Sequence, residues 1–244
     1  MTTRTGVIVI GLFVATLLFA SCFGGSTVRV NTAKVKTIKK VALAGLCIQK
    51  QVSTISGTQN TGFLAGNGAG LLLEPMAVGL NEALTSEWKG IEVLPLAIEK
   101  DPARALGKSR ACVNDLDPML PGGYVGDADN AYLGTLAKKL GVDAVLAVSG
   151  DPIIRFWEGK GAKMYVPSIG SGFVATLVDS SGAELALIEL KNFETEYFAS
   201  ETPNNMVGAG KLGTALSKLM AQGIVTTLNG GTFNPPSKPG LSGL

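Results

Sequence analysis

Leu136-Ala-Lys-Lys-Leu-Gly-Val-Asp-Ala-Val-Leu-Ala-Val-Ser149 is the stretch on which the fold turns. Its first half closes a helix. Leu133, Leu136, Ala137 and Leu140 recur at helical spacing from about Asn130, Asp129 suits the N-cap, and Gly141 stops the helix. Its second half, Val142 to Ser149, is nearly all apolar, as expected of a strand covered on both faces.

The same reading extends in both directions. Lys39 to Ile48 is a first buried strand, rich in Val, Leu and Ala, and Ser53 to Gly70 is a loop rich in Gly, Ser, Thr and Asn. A helix is expected from about Leu72 to Trp88 on the spacing of Leu73, Met76, Leu80 and Leu84, with Pro75 in its first turn and Gly90 ending it. Ile91 to Ile98 reads as a second strand and Ala103 to Cys112 as a short helix, after which Pro118, Pro121, Gly122 and Gly123 break the chain. Downstream, Ile153 to Val166 reads as a strand pair across Glu158-Gly159-Lys160-Gly161. Phe173–Val178 and Glu184–Phe193 read as a hairpin across Asp179-Ser180-Ser181-Gly182. A last helix spans about Val207 to Leu228, with Leu212, Leu216, Leu219, Met220 and Ile224 on one face, and residues 229–244 are expected to be disordered. The order β-α-β-α-β-β-β-α predicts an α/β fold over residues 38–228: a single mixed β-sheet packed against helices.

The amino-terminal segment reads as a leader. Arg4 supplies positive charge, Gly6 to Leu18 form an apolar core too short to cross a bilayer comfortably, and Ala20-Ser21 precede Cys22. Leu18-Phe19-Ala20-Ser21-Cys22 resembles a bacterial lipobox, with Phe19 where Leu is usual. The expectation is a signal peptide over 1–21, lipidation of Cys22, a flexible tether over 22–37, and export; an ordinary secretory signal or a poor transmembrane anchor is the alternative. Phe23 rather than Asp after the cysteine resembles the default route to the outer membrane, facing the periplasm.

Composition narrows the function. The 244 residues contain no histidine, which removes Ser-His-Asp and Cys-His catalysis and any His-ligated metal. The formal charge of +2 includes Arg4 of the leader, so the mature chain is nearly neutral and nucleic acid is not an expected partner. Lys34, Lys36, Lys39 and Lys40 form a small cluster, read as a solvated edge beside the membrane or as a contact for anionic headgroups. Cys47 and Cys112 would meet an oxidising compartment, where a disulfide between them and a buried free thiol at Cys47 are both open.

Other clusters fit bland roles better. Gly66-Asn67-Gly68-Ala69-Gly70 lacks the Lys-Ser/Thr of a P-loop and reads as a flexible lead-in to a helix. Asp115, Asp117, Asp127 and Asp129 lack the calcium-loop order and suit caps and turns. Asp151, Arg155, Trp157 and Glu158 suit an exposed strand. Phe156, Trp157 and Tyr165 are candidate docking contacts, since aromatics are enriched at interfaces. No cofactor and no metal are expected.

The Leu136–Ser149 helix and strand, the hairpin from Gly172 through Asp179–Gly182 and Leu185 to Phe193, and the terminal helix together resemble a group of bacterial envelope lipoproteins. That group comprises the curli-secretion channel lipoprotein, the activator lipoproteins of penicillin-binding proteins, the exopolysaccharide-export ring lipoprotein and the amino-terminal domain of the Tol-system propeller protein. The resemblance follows the order of elements across residues 38–228 and carries no catalytic motif. It implies an accessory or scaffold lipoprotein, anchored to the membrane through acylated Cys22, that docks on envelope proteins, including as a homo-oligomer. Two features of that group have no counterpart in this sequence: the amphipathic membrane hairpins of the secretion channel and the long tether of the activators. A surface-exposed lipoprotein binding a host or polysaccharide ligand is the alternative.

Overall fold

The computed structural model describes residues 28–49, 52–56, 59–63, 68–95, 110–113, 127–159, 162–191, 193–194, 198–199 and 206–234. In chain order these form β1 (Val28–Val30), α1 (Thr32–Val35), β2 (Lys40–Gln49), β3 (Ser53–Ser56), β4 (Gln59–Phe63), α2 (Gly68–Glu87), β5 (Glu92–Val93) and β6 (Arg110–Val113). There follow α3 (Asp127–Leu140), β7 (Ala144–Gly159), β8 (Ala162–Asp179), β9 (Glu184–Leu190), β10 (Phe193–Glu194), β11 (Phe198–Ala199) and α4 (Met206–Leu228). The main sheet runs β1-β9-β8-β7-β2-β5. Its β2–β7 and β2–β5 ladders are parallel and the rest antiparallel, so the sheet is mixed as expected.

Burial on both faces explains why β2 and β7 read as continuous apolar runs. Leu146 and Val148 of β7 point to the side covered by α2 and α4, where Leu72, Met76, Leu80, Leu216 and Ile224 meet them. Val145 and Ala147 point to the other side, under Leu133, Leu136 and Ala137 of α3. In β2 the parity changes halfway: Val41 and Leu43 join the α2/α4 side, and so do Leu46 and Ile48. A bulge between Leu43 and Gly45 inserts the extra residue that makes this work. Without it, Leu46 and Ile48 would exchange faces with Cys47, because strand side chains alternate with period two.

Two carboxylates hold the base of the sheet. Asp143, between α3 and β7, accepts the backbone N–H groups of Lys39 (2.7 Å) and Lys40 (2.9 Å) on one oxygen, while its own N–H donates to the Lys40 carbonyl at 3.0 Å. That clamp sets the level at which β2 enters beside β7. Asp179 accepts the N–H groups of Ser181 (2.8 Å) and Ala183 (3.0 Å), closing the β8–β9 turn, and Gly182 takes the positive φ of 87° that the turn requires.

Several expectations are corrected. Within the expected tether 22–37, Val28–Val30 pairs with β9 and Asn31 caps α1 by accepting the Lys34 N–H at 3.2 Å; burial of Val35 rewards that ordering. The expected loop over 53–70 contains the β3–β4 hairpin and the start of α2, so Pro75 lies inside that helix and not in its first turn. Pro75 gives no N–H to the preceding turn, but close packing of α4 holds the helix together there. Gly213 sits hard against Pro75 and Met76, and the Ser217 hydroxyl donates to the Met76 carbonyl at 2.7 Å. Ala103–Cys112 is not a helix where it is described, because Arg110–Val113 finds the open edge of β2. Of the strand expected over 91–98, Glu92–Val93 is a strand, Ile91, Leu94 and Pro95 are not, and residues 96–98 lie outside the described residues. Asp129 lies inside α3 and does not cap it. Asn229 to Gly231, expected to be disordered, hydrogen-bond back onto the last turn of α4, with Gly230 at φ 80°. The leader, Cys22, residues 96–109, Asp115, Asp117 and residues 235–244 lie outside the described residues.

Candidate functional site

β7 and β8 are far longer than the strands read from the sequence, at 16 and 18 residues, and they pair along their whole length. The two expected hairpin arms, Ile153–Val166 and the run into Asp179, are therefore one continuous ribbon. At ~3.3 Å per residue β7 extends about 50 Å, whereas α2 and α4, at 20 and 23 residues, extend only about 30–35 Å at 1.5 Å per residue. All the helices start or end beside the base of the sheet, so the far part of the ribbon runs on past them.

The ribbon changes character at a shift in the ladder between Asp151 and Pro152. There Gly150 lies under the ring of Phe173, where a Cβ would come within 2.5 Å, and Gly172 adopts a φ of 131°. Beyond this bend the neighbours differ. β3 joins β7 in parallel, Ser53 opposite Ile153 through Ser56 opposite Phe156, with β4 outside it. β10 and β11 join β8 on the other side. The result is a second, distal stretch of sheet, β4-β3-β7-β8 with β10 and β11.

This distal sheet carries the aromatic positions singled out from the sequence. Phe156 stands directly opposite Tyr165 on the neighbouring strand, and Trp157 takes the alternate position opposite Met164. Two of the three candidate contacts thus share one face of the ladder and the third occupies the other. Phe198 of β11 lies opposite Tyr165 on its other side, extending that row to three aromatic positions. The turn signal Glu158-Gly159-Lys160-Gly161 within Ile153–Val166 pointed to the strand pair; β3 and β4 beside it carry no comparable sequence signal, because Ser53–Phe63 is polar and glycine-rich.

Cys47 is disulfide-bonded and 4% exposed, on the α3 side of the sheet, and Cys112 is its register partner on β6. Asp151, Arg155 and Glu158 are distributed along β7, with Glu158 opposite Lys163. Of the glycine-rich run, Gly68–Gly70 belong to α2. Among the described residues no group of three or more His, Cys, Asp or Glu is placed to hold a metal ion, and no helix is long and apolar enough to cross a membrane.

The Asp179 carboxylate has a structural role. Partial burial pushes the Asp179 pKa up, but hydrogen bonds from Ser181 and Ala183, with help from the Lys34 charge, outweigh it and hold the group below its ordinary value of 3.8. The sequence marks Asp179 as part of a turn but carries no signal for Asp143, whose role depends on a strand a hundred residues away.

No protein-family model and no curated protein matches the chain. Among solved structures it is similar to the PelC dodecamer from Paraburkholderia phytofirmans, at 14% identity and a TM-score of 0.33, covering 86% of this chain and 100% of that one. It is also similar to lipoprotein GNA1162 from Neisseria meningitidis, at 18% identity and a TM-score of 0.30, covering 75% of this chain and 98% of that one. Neither likeness is close enough to place the chain in a family.

Proposed function

We propose that this chain is a lipid-anchored bacterial envelope protein that acts without catalysis, as an accessory or scaffold for outer-membrane assembly, secretion or cell-wall machinery. The observation that carries the reading is the β7–β8 ribbon, which continues past the helices into a distal sheet with Phe156, Tyr165 and Phe198 at adjacent register positions. A broad strand surface set away from the body suits protein contact, and aromatic side chains are favoured there. The partners are envelope proteins, with further copies of the same chain among them.

In this reading Cys22 carries a diacylglycerol thioether and its freed amine accepts a further acyl chain. Two or three chains anchor firmly where one binds only marginally. The domain faces the periplasm from the outer membrane, and the oxidising compartment joins Cys47 to Cys112.

Two measurements test the proposal. Intact mass of the membrane-extracted protein should show a chain beginning at Cys22 with added acyl mass, lost in Cys22→Ala. A photo-crosslinking residue at Trp157 or Tyr165 should give defined adducts in cells, whereas one at exposed Tyr132 on α3 should give none. Adducts from Tyr132 alone would refute the docking role, and an unacylated mass would refute the anchor.

A further inference from the structure

We propose that the base of the molecule, opposite the tip of the β7–β8 ribbon, is a membrane-facing surface that binds anionic lipid headgroups. The inference rests on Cys22 as the lipid attachment point and adds to it an orientation and a lipid class.

The fold gathers cations at this end from segments far apart in sequence. The clamp of Asp143 on Lys39 and Lys40, and the N–H of Glu92 on the Lys39 carbonyl at 2.8 Å, bring together the starts of β2, β5 and β7. The last turns of α2 and α3 arrive at the same place, and Gly230, just after α4, lies beside Thr32. Exposed here are Lys34, Lys36, Lys39, Lys89, Lys138 and Lys139. Leu140 stands among them 41% exposed, an apolar side chain where a solvated surface would favour a polar one.

The carboxylates at this end do not cancel that charge. Glu92 pairs with Lys40 at 3.1 Å, Glu184 with Arg29 at 3.2 Å, and Asp179 with Lys34 at 4.0 Å. Asp143 is turned onto backbone N–H groups. Lys36, Lys39, Lys89, Lys138 and Lys139 form no ion pair among the described residues, with Glu87 the remaining acid nearby. Lys138 and Lys139 also offset the negative end of α3, and that role leaves their ammonium groups in solvent.

Chain length decides which end the membrane can meet. Val28, Ile188, Ala175 and Val148 stand level across four adjacent strands. From that level the base at Ala144 is about 13 Å away, and the tip at Gly159 about 36 Å away in the opposite direction. The chain from Cys22 to Val28 spans at most about 21 Å. β1 itself runs toward the base, so the preceding chain has to double back from Val28; its reach of about 21 Å covers the roughly 13 Å to the base, and an acyl chain on Cys22 can therefore lie in that plane. With the tip toward the bilayer, the ribbon would instead be driven about 15 Å past the attachment plane. Glu158 and Lys163 would then enter hydrocarbon, where charges are costly. The base-down orientation meets headgroups with ammonium groups and Leu140, and it leaves the distal sheet facing away from the membrane. Each lysine near an anionic surface should contribute about fivefold in partitioning.

The test uses the full acylated chain in vesicles of phosphatidylcholine alone or mixed with phosphatidylglycerol, pulse-labelled with an amine-reactive ester and read by peptide mass spectrometry. Lys36, Lys39, Lys89, Lys138 and Lys139 should label at least threefold more slowly in the anionic vesicles, with Lys163 and Lys218 unchanged. Equal labelling in both vesicles on a chain carrying acyl mass would overturn this inference and leave the anchor standing; protection of Lys163 would overturn it in favour of the tip-down orientation. A companion measurement needs no lipidation. Co-sedimentation of the Cys22→Ser chain with anionic vesicles should fall at least tenfold in Lys138→Glu/Lys139→Glu, and an unchanged partition would overturn the headgroup contact whatever the fate of Cys22.

Discussion

Replacing Gly134 by alanine should weaken this protein, although the same change in an open helix strengthens one. Gly134 lies buried in α3, and an added Cβ would come within 2.5 Å of the Gly182 nitrogen, 2.6 Å of its Cα and 3.2 Å of the Asp179 carbonyl oxygen. All three are backbone atoms of the β8–β9 turn, itself held by Asp179, so no side chain can rotate away. α3 must instead lift from the sheet by roughly an ångström, loosening Leu133, Leu136 and Ala137 from Val145, Ala147 and Val178. Overpacking of this kind costs about 1–3 kcal/mol. Removing a helical glycine returns about 1 kcal/mol. With an unyielding backbone as the obstacle, the net loss should be about 1–2 kcal/mol, or roughly 2–8 °C in Tm for a domain of this size. Gly210 supplies the control: it is also inside a helix, but a Cβ there meets nothing within 4 Å. Gly210→Ala should therefore raise Tm by about 2–4 °C. Thermal melts followed by circular dichroism measure both. A Gly134→Ala protein as stable as the parent, beside a stabilised Gly210→Ala, would show that α3 does not seat on the turn as described.

Three further outcomes follow from the same contacts. The Asp179 pKa is depressed on folding, so its stabilisation is present above the unfolded value near 3.8 and disappears as pH falls through the lower folded value. Asp179→Asn should thus flatten the acid limb of a urea-stability profile below about pH 4, and an unchanged limb would remove the carboxylate from the turn's energetics. Asp143→Ala should cost about 2 kcal/mol, as expected for hydrogen bonds to a charged group, and should speed hydrogen exchange at the Lys39 and Lys40 amides specifically; uniform exchange changes would contradict the clamp. Cys112→Ser should lower stability by about 2–4 kcal/mol under oxidising conditions and expose one new thiol on unfolding, whereas a parent chain that already titrates a thiol at Cys47 would exclude the bridge.

Much of the core was legible because local pattern and tertiary burial agree. Leu136–Ser149 announces a helix feeding a buried strand, and both exist, since a strand covered on two faces has no choice but to be apolar throughout. Asp179-Ser180-Ser181-Gly182 announces a turn because only short polar side chains and glycine satisfy its backbone. The errors fall where a segment takes its conformation from a distant edge. Ser53–Phe63 and Arg110–Val113 carry a weak strand pattern, and Val28–Val30, though β-branched, is only three residues long beside a Gly/Ser-rich stretch; each becomes a strand by pairing with β7, β2 or β9. Pro75 misplaced the start of α2 for a related reason: a proline is tolerated inside a helix when neighbouring packing offsets the lost bond, and Gly213 and Ser217 belong to a helix more than a hundred residues away.

By itself, the sequence determined the composition of the buried layers, the β8–β9 turn, the α/β class and the absence of histidine chemistry. Those are properties of short windows, in which side-chain type and backbone preference act locally. Tertiary structure alone decided that β7 and β8 run on as one ribbon, that a bulge between Leu43 and Gly45 keeps Leu46 and Ile48 on the same face as Leu43, and that lysines from separate segments share one end of the molecule. Hydrogen-bond pairing across strands and the meeting of helix ends depend on which surfaces come together, and a one-residue insertion reverses every side chain beyond it, so no local window contains that information.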